Sequence, residues 1–180
     1  MNNLGTKELT SDRLILRRFR EDDAKEICEG YINQEKFLYY ANKEKISLEE
    51  EINFLRKIEE KYKNNEYYNW LITLKDNNKI IGSVYLKTDN ENESLELNYA
   101  IDDRYTNNGY MTEALNTVKN YCINDLCAKK VYGGCEINNI ASKRVMEKCG
   151  FKYEKTLKDY LKLKDGYHDM YLYSFIINED

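Results

Sequence analysis

The sequence predicts one α/β (α+β) domain built around a mixed sheet, and three observations lead there. The chain has 180 residues, 42% of them apolar, enough for one core without help from disulfides or metal. The spacing of its apolar residues switches between helical and alternating, in the order βααβββαβαββ. No Gly/Ser tract, long charge block or internal repeat divides it. Residues 1–8 are expected to form a short N-terminal tail and residues 9–178 the domain.

The elements follow in turn. Leu9 to Phe19 alternates and reads as a strand, and Asp22 is placed to cap a helix through about Ile32. Ser47-Leu48-Glu49-Glu50 is a capping box, followed by Leu48, Ile52, Leu55 and Tyr62 at helical spacing up to an Asn64-Asn65 stop. The period then changes. Trp70, Ile72 and Leu74 alternate, Asp76-Asn77-Asn78 turns the chain, and Ile80 to Leu86 returns as the partner strand of a hairpin. After a turn at Asp89-Asn90-Glu91-Asn92, Leu95, Leu97, Tyr99 and Ile101 share one face of a strand, with Glu96, Asn98 and Ala100 on the other. A helix runs from about Gly109 to Asn124, a short strand from Lys130 to Cys135, and a short helix from Asn139 to Cys149 with Gly150 as its C′ residue. Two strands around Asp165-Gly166 complete about seven strands and four helices.

Composition narrows the function. The mean hydropathy of −0.80 understates the core, because 17 tyrosines score as polar while supplying apolar area. A net charge of −4 and a pI near 5.3 disfavour a general nucleic-acid binder. No apolar run is long enough to span a bilayer and no signal-peptide layout is seen. The five cysteines form no C-x-x-C pair, so neither a disulfide framework nor a zinc site is suggested, and a reduced cytoplasmic protein is expected. Pro is absent, leaving Asn, Asp and Gly to make the turns.

Two polar stretches carry chemistry. Arg104 to Ala114 lies between a strand and a helix, where orphan amides and the positive end of the helix dipole suit a phosphate or pyrophosphate. Gly109 permits close approach of the backbone, and Asn107 and Asn108 tolerate left-handed turns. An ordinary glycine turn fits the same residues. Asn138-Asn139-Ile140-Ala141-Ser142 opens the second helix; it reads either as a plain cap or as a set of polar ligand contacts.

Taken with the ends of the chain, these stretches resemble the GNAT superfamily of acyl-CoA-dependent N-acetyltransferases. The likeness is greatest to the branch with bacterial ribosomal-protein N-terminal acetyltransferases. It rests on Leu9-Thr10-Ser11-Asp12-Arg13-Leu14-Ile15-Leu16-Arg17, Glu21-Asp22-Asp23-Ala24, Ile81-Gly82, Glu96-Leu97-Asn98-Tyr99-Ala100-Ile101, the Gly109 loop into Thr112-Glu113-Ala114-Leu115, Asn139 to Phe151, and Asp165-Gly166-Tyr167-His168-Asp169-Met170. The resemblance implies a sheet splayed between two central parallel strands, Glu96–Ile101 and Lys130–Cys135, with acetyl-CoA in the gap and no metal. It implies cofactor contacts from Ala100, Ile101, Thr106, Asn107, Asn108, Gly109, Tyr110, Met111, Thr112, Asn139, Ser142 and Lys148. The loop departs from the usual pattern, a Gln or Arg, then x-x-G-x, then Gly or Ala. Thr106 stands for the long polar residue, Met111 for the small one, and Asn107 where a glycine is frequent.

The implied reaction is direct attack of an amine on the thioester. A backbone N–H near Tyr99 polarises the acetyl oxygen, Glu96 is the candidate general base, and Ser142 protonates or stabilises the leaving thiolate. His168, the single histidine, is a second choice as base or as a group that orients the substrate. The cysteines read as small core residues. Glu26, Glu29, Glu49, Glu50 and Glu51 either line a pocket for a cationic amine or form a solvated helix face. The acceptor is expected to be a protein or peptide α-amine, with a polyamine, aminoglycoside or amino-acid-like amine, or a non-catalytic acyl-CoA-binding regulator, as alternatives. A monomer or homodimer with neither nucleic acid nor membrane as partner is expected.

Overall fold

The computed structural model describes residues 1–65, 67–89 and 91–177. Eight strands and five helices follow one another: β1 (Leu9–Thr10), β2 (Leu14–Arg17), α1 (Ala24–Glu29), α2 (Glu35–Tyr40), α3 (Leu48–Lys61), β3 (Tyr68–Leu74), β4 (Ile80–Asp89), β5 (Ser94–Ile101), α4 (Tyr110–Asn124), β6 (Lys130–Glu136), α5 (Ile140–Lys148), β7 (Lys152–Leu163) and β8 (Gly166–Ile176). The sheet order is β1-β2-β3-β4-β5-β6-β8-β7, and β5–β6 is its parallel pair. This is the α/β mixed-sheet domain the sequence predicts.

The counts differ from seven and four for local reasons. Ser11 N–H donates to Leu14 O at 3.1 Å, folding Leu9–Arg17 into a small hairpin rather than one strand. Asp22 is not a helix cap. The chain makes a 3₁₀ turn at Glu21–Asp23, where Asp23 accepts from Arg20 N–H and both Arg17 Nη atoms at 2.8 Å. α1 then ends at Glu29, before Ile32, and α2 is an additional helix. In α3 the capping box is present, Ser47 N–H donating to Glu50 Oε2 at 2.8 Å and Glu50 N–H to Ser47 Oγ at 3.3 Å. Its buried stripe runs through Glu51, Leu55 and Ile58, and Leu48 faces solvent. Of the turn expected at residues 89–92, Asn90 lies outside the described residues, as does residue 178 at the expected domain end. Residues 1–8, expected as a tail, lie against the domain: Trp70 Nε1 donates to Lys7 O at 2.6 Å and Tyr121 OH to Gly5 O at 2.8 Å.

Each face of the sheet carries its own core. Tyr68, Trp70 and Ile72 of β3 pack with Leu95 and Leu97 of β5 against Ala114, Leu115 and Val118 of α4 and Met146 of α5. The intervening Leu71 points the other way, to Ile27 of α1 and Leu55 and Ile58 of α3, with Ala100 against the same cluster. The even residues of β5, Glu96, Asn98 and Ala100, therefore face α1–α3, and the odd ones face α4 and α5. The β4–β5 register runs unbroken from Ser94 to Ile101, so that parity holds along the whole strand.

Burial pushes the Glu51 carboxyl up to about 7, against a weaker lowering by Lys43. A carboxyl raised in the folded state binds protons that the unfolded chain has already lost, so stability falls as pH rises from about 4.5 toward 7. Glu51→Gln is expected to remove that slope and raise the melting temperature more at pH 8 than at pH 5, as calorimetry at the two pH values will show.

Candidate active site

Backbone pairing sets the site. β5 and β6 pair only over Ser94–Glu96 and Lys130–Tyr132. Beyond that, β5 continues on β4 to Ile101 and β6 on β8 to Glu136, while the two strands diverge. Gly133 stands at the fork, where a Cβ would lie 2.9 Å from Leu97 O and 2.6 Å from Met146 Cε. The parting forms a cleft of about 700 Å³ lined by Leu97 to Ile101 on one side and Gly134, Cys135 and Glu136 on the other. Its diverging strand edges offer N–H and C=O groups that an extended ligand can pair with.

The loop before α4 closes one end of the cleft. Asn107 (φ 61°) and Gly109 (φ 78°) are both left-handed, so Asn107 itself supplies the conformation a glycine often does. Glu113 N–H is bonded to Gly109 O at 3.0 Å, which leaves the amides of Tyr110, Met111 and Thr112 at the open helix start. Thr106, Asn107, Gly109, Tyr110, Met111 and Thr112 line the cleft. Asn108 instead turns its amide back to Thr106 O at 2.9 Å. The departures at Thr106 and Met111 keep clear of the helix start: Thr106 Oγ1 donates to Asp103 O at 2.9 Å, and Met111 is 4% exposed, with its bulk in the core.

Sequence reasoning missed what holds this loop. Arg13 donates through Nη1 to Asn108 O (3.0 Å) and Nε to Glu113 Oε2 (2.7 Å), and its guanidinium covers the Tyr110 ring at 4.4 Å. Glu113 Oε1 also accepts from Ser11 Oγ (2.7 Å) and Arg13 N–H (2.8 Å). Burial works to raise the Glu113 carboxyl, and these donors outweigh it and hold it below its ordinary value. The β1–β2 turn is thus tied to the first turn of α4. The signal was present, since both segments belong to the quoted motifs, but nothing in either says that they touch.

α5 supplies the facing wall. Asn139 caps it, its Oδ1 accepting from Ser142 N–H at 3.2 Å, so the cap and the cleft contact are the same residue. Ser142 Oγ lies 2.6 Å from Tyr99 OH, which also donates to Ser142 O at 3.2 Å. Burial holds the Tyr99 phenol well above its ordinary value, so it stays protonated at neutral pH. Arg144 and Lys148, four residues apart on one helix face, both line the cleft; Arg144 was not anticipated, although that spacing pairs it with Lys148. Burial pushes the Cys135 thiol up to about 11, against a weaker lowering by Ser142, which suits an unreactive side chain rather than a nucleophile.

The other side of the cleft faces α2. Glu96 lies at the root of the gap opposite Tyr132, and Glu136 at its open end. Tyr40, Phe37 and Met170 supply apolar wall. His168 stands behind Glu136, its Nδ1 3.4 Å from Glu136 Oε1. The glutamates suggested for an amine pocket are elsewhere: Glu26 pairs with Lys79 at 2.9 Å, and Glu49 and Glu50 are exposed.

A mixed sheet parted between its parallel strands, with an open helix start aimed into the parting, is the frame of an N-acetyltransferase. Residues 13–152 match the acetyltransferase (GNAT) domain, and the chain belongs to that family. It is 27% identical over 169 residues to the uncharacterized N-acetyltransferase YoaA of Bacillus subtilis (strain 168), covering 93% of this chain and 96% of that one. Its fold is similar to that of a ribosomal-protein-S5-alanine acetyltransferase from Vibrio fischeri, with a TM-score of 0.84, 21% identity and coverage of 96% and 98% of the two chains. It is also similar to the microcin C7 self-immunity acetyltransferase MccE, solved with acetyl-CoA and AMP, at a TM-score of 0.80, 22% identity and coverage of 93% and 94%. Among the described residues no helix is long and apolar enough to cross a membrane.

Proposed function

We propose that this protein transfers an acetyl group from acetyl-CoA to a primary amine, and that the acceptor is a protein or peptide N-terminal α-amine. The parting of β5 from β6 carries the reading, because it offers backbone partners to a pantetheine arm while the amides of Tyr110, Met111 and Thr112 meet the pyrophosphate. Arg144 and Lys148 add positive charge beside the phosphates. The fit is good for a thioester whose phosphates stay near α4 and whose acyl end points down the cleft. Acetyl-CoA, when bound, supplies an activated acetyl group on a thiol leaving group.

The chain's own residues supply the rest. Tyr99 OH and Ser142 Oγ lie 2.6 Å apart, and with the phenol as donor in that pair the Ser142 proton is left for the departing sulfur. The backbone near Tyr99 polarises the acetyl oxygen. In this reading the amine enters from the α2 side, Glu96, which lines the cleft, holds or deprotonates the ammonium, and the tyrosines on that wall suit a cation. Branch likeness supports the α-amine, and five free cysteines suit a cytoplasmic protein. The small-molecule alternative is supported by the likeness to MccE.

The test is release of free thiol from acetyl-CoA with a panel of N-terminal peptides, polyamines and aminoglycosides. Turnover on peptides alone supports the α-amine reading; turnover only on small amines replaces it; tight binding without turnover on any amine leaves a regulator. In the same system Arg13→Ala is expected to weaken CoA binding about tenfold, because the loop loses charge-assisted bonds that fix it. Titration calorimetry will read it.

A further inference from the structure

Glu136 ends β6 at the open end of the gap, four residues past the last position paired with β5. It is a buried carboxylate that lines the cleft. Its Oε2 accepts from Asn138 N–H at 2.8 Å, and its Oε1 accepts from Asn138 Nδ2 at 3.0 Å and faces His168 Nδ1 at 3.4 Å. The other imidazole nitrogen lies 2.9 Å from Asp165 Oδ1, and Tyr39 OH donates to both Asp165 oxygens at 3.0 and 3.1 Å. Side-chain exposure rises along this row, from 3% for Glu136 to 22% for His168 and 58% for Asp165. The row leads from the cleft to solvent. The imidazole nitrogens point to opposite neighbours, and among the described residues no group of three or more His, Cys, Asp or Glu side chains is arranged to hold a metal ion.

The chemistry needs such a row. A primary ammonium that becomes a secondary amide loses two protons: one ends on the departing sulfur, and the other leaves to solvent. Ser142 serves the first, on the α5 side of the gap. Cys135, which lines the cleft with Ser142, precedes Glu136 in the chain, so the carboxylate sits at the level of that proton donor on the opposite face of the strand. Glu96 is three residues before Tyr99, roughly 10 Å along β5.

We propose that Glu136 takes the proton that must leave, and that His168 and Asp165 pass it to solvent; the inference rests on the acetyltransferase reading of the cleft. The N–H bonding pair stays on nitrogen as the nucleophilic lone pair and a Glu136 O–H bond forms. That proton moves to His168 Nδ1 as Nε2 gives its own to Asp165 and then to water. Glu96 is left to hold the positive charge of the incoming amine at the root of the gap. His168 and Asp165 are positioning and relay groups; of the three residues in the row, only Glu136 meets the amine.

The groups facing His168 are Glu136 from β6, Asp165 from the β7–β8 turn, Asp169 from its own strand and Tyr39 from α2. Burial lowers its pKa, and the hydrogen bonds to Asp165 and Glu136 outweigh that and raise it above 6.5. The relay needs the neutral imidazole, so kcat rises as pH climbs through a value above 6.5.

The experiment is the pH profile of kcat for acetyl transfer at saturating amine, in wild type, Glu136→Gln, His168→Gln, Asp165→Asn and Glu96→Gln. Melting temperatures with and without acetyl-CoA establish folding and cofactor binding for each. Glu136→Gln is expected to slow transfer about 10²-fold, and His168→Gln to slow it less and lose the acid limb. Asp165→Asn is expected to keep most of the high-pH rate and move the limb to lower pH. NMR titration of the single histidine reads the same shift without turnover. A full rate in Glu136→Gln, or an acid limb that disappears only in Glu96→Gln, overturns the relay while leaving the acetyltransferase intact. A wild type that binds acetyl-CoA and transfers to no amine overturns both.

Discussion

Acetyl-CoA is expected to raise the melting temperature of the wild-type protein by about 5–10 °C at a hundredfold excess over its Kd, and to leave that of Gly109→Val unchanged. The first half follows from linkage: a ligand that binds only the native state at that excess stabilises it by about 2.7 kcal/mol, and a chain of this length gains roughly 2–4 °C per kcal/mol. The second half follows from two properties of Gly109. Its φ of 78° is a conformation that a β-branched residue adopts only under strain. A Cβ there would meet Arg13 Nη2 at 3.5 Å and, among the described residues beyond its chain neighbours, nothing else within 4 Å. The branches of valine therefore enter the open space before the helix start, where the anion is to lie. Gly109→Ala separates the two effects, since it shares the strain and adds one carbon. It is expected to melt lower than wild type, by the cost of a left-handed residue of about 1–2 kcal/mol, yet still to respond to acetyl-CoA. A full response in Gly109→Val would show that this loop does not hold the cofactor.

How far the sequence reveals such a site depends on how local the causes are. The Ser47–Glu50 box, the left-handed Asn107 and Gly109, and the Asn139 cap are set within a few residues, and the spacing displays each of them. The alternation in β5 likewise sorts its two faces, because period two survives where no bulge interrupts it. The α1 start is not legible locally, because Asp22 and Asp23 are equally good caps by type and Asp23 is engaged by Arg17, which lies in another element. α2 is short and has no buried residue, so it carries no apolar stripe to find. The same division holds in the site. Loop and cap residues were legible one by one, and the family resemblance supplied the gap between β5 and β6. The Arg13–Glu113 clamp and the Glu136–His168 contact join residues 100 and 32 positions apart, and no spacing rule connects them. His168 stands out as the only histidine, whereas Glu136 is one charge among 32 Asp and Glu.

Ser142→Ala is expected to lower kcat about 10²-fold while retaining the full acetyl-CoA-induced rise in melting temperature. A group that gives its proton to the leaving sulfur acts where negative charge develops, so its loss appears in kcat and not in the affinity of the ground state. The structural cost of the substitution is small for an identifiable reason. Asn139 Oδ1 caps α5 by accepting from the Ser142 backbone N–H, and alanine keeps that bond. Tyr99 OH loses its 2.6 Å partner but still donates to Ser142 O at 3.2 Å, so no buried hydroxyl is orphaned. Tyr99→Phe gives the matching half of the experiment. It leaves the serine proton in place but removes the donor that directs it into the cleft, and is expected to slow turnover by less than Ser142→Ala. The double variant is then expected to be no slower than Ser142→Ala alone, because the phenol acts on the reaction only through that hydroxyl. Additive losses would instead mean that Tyr99 meets the substrate itself. Normal turnover in Ser142→Ala would reduce the residue to a first-turn position of α5.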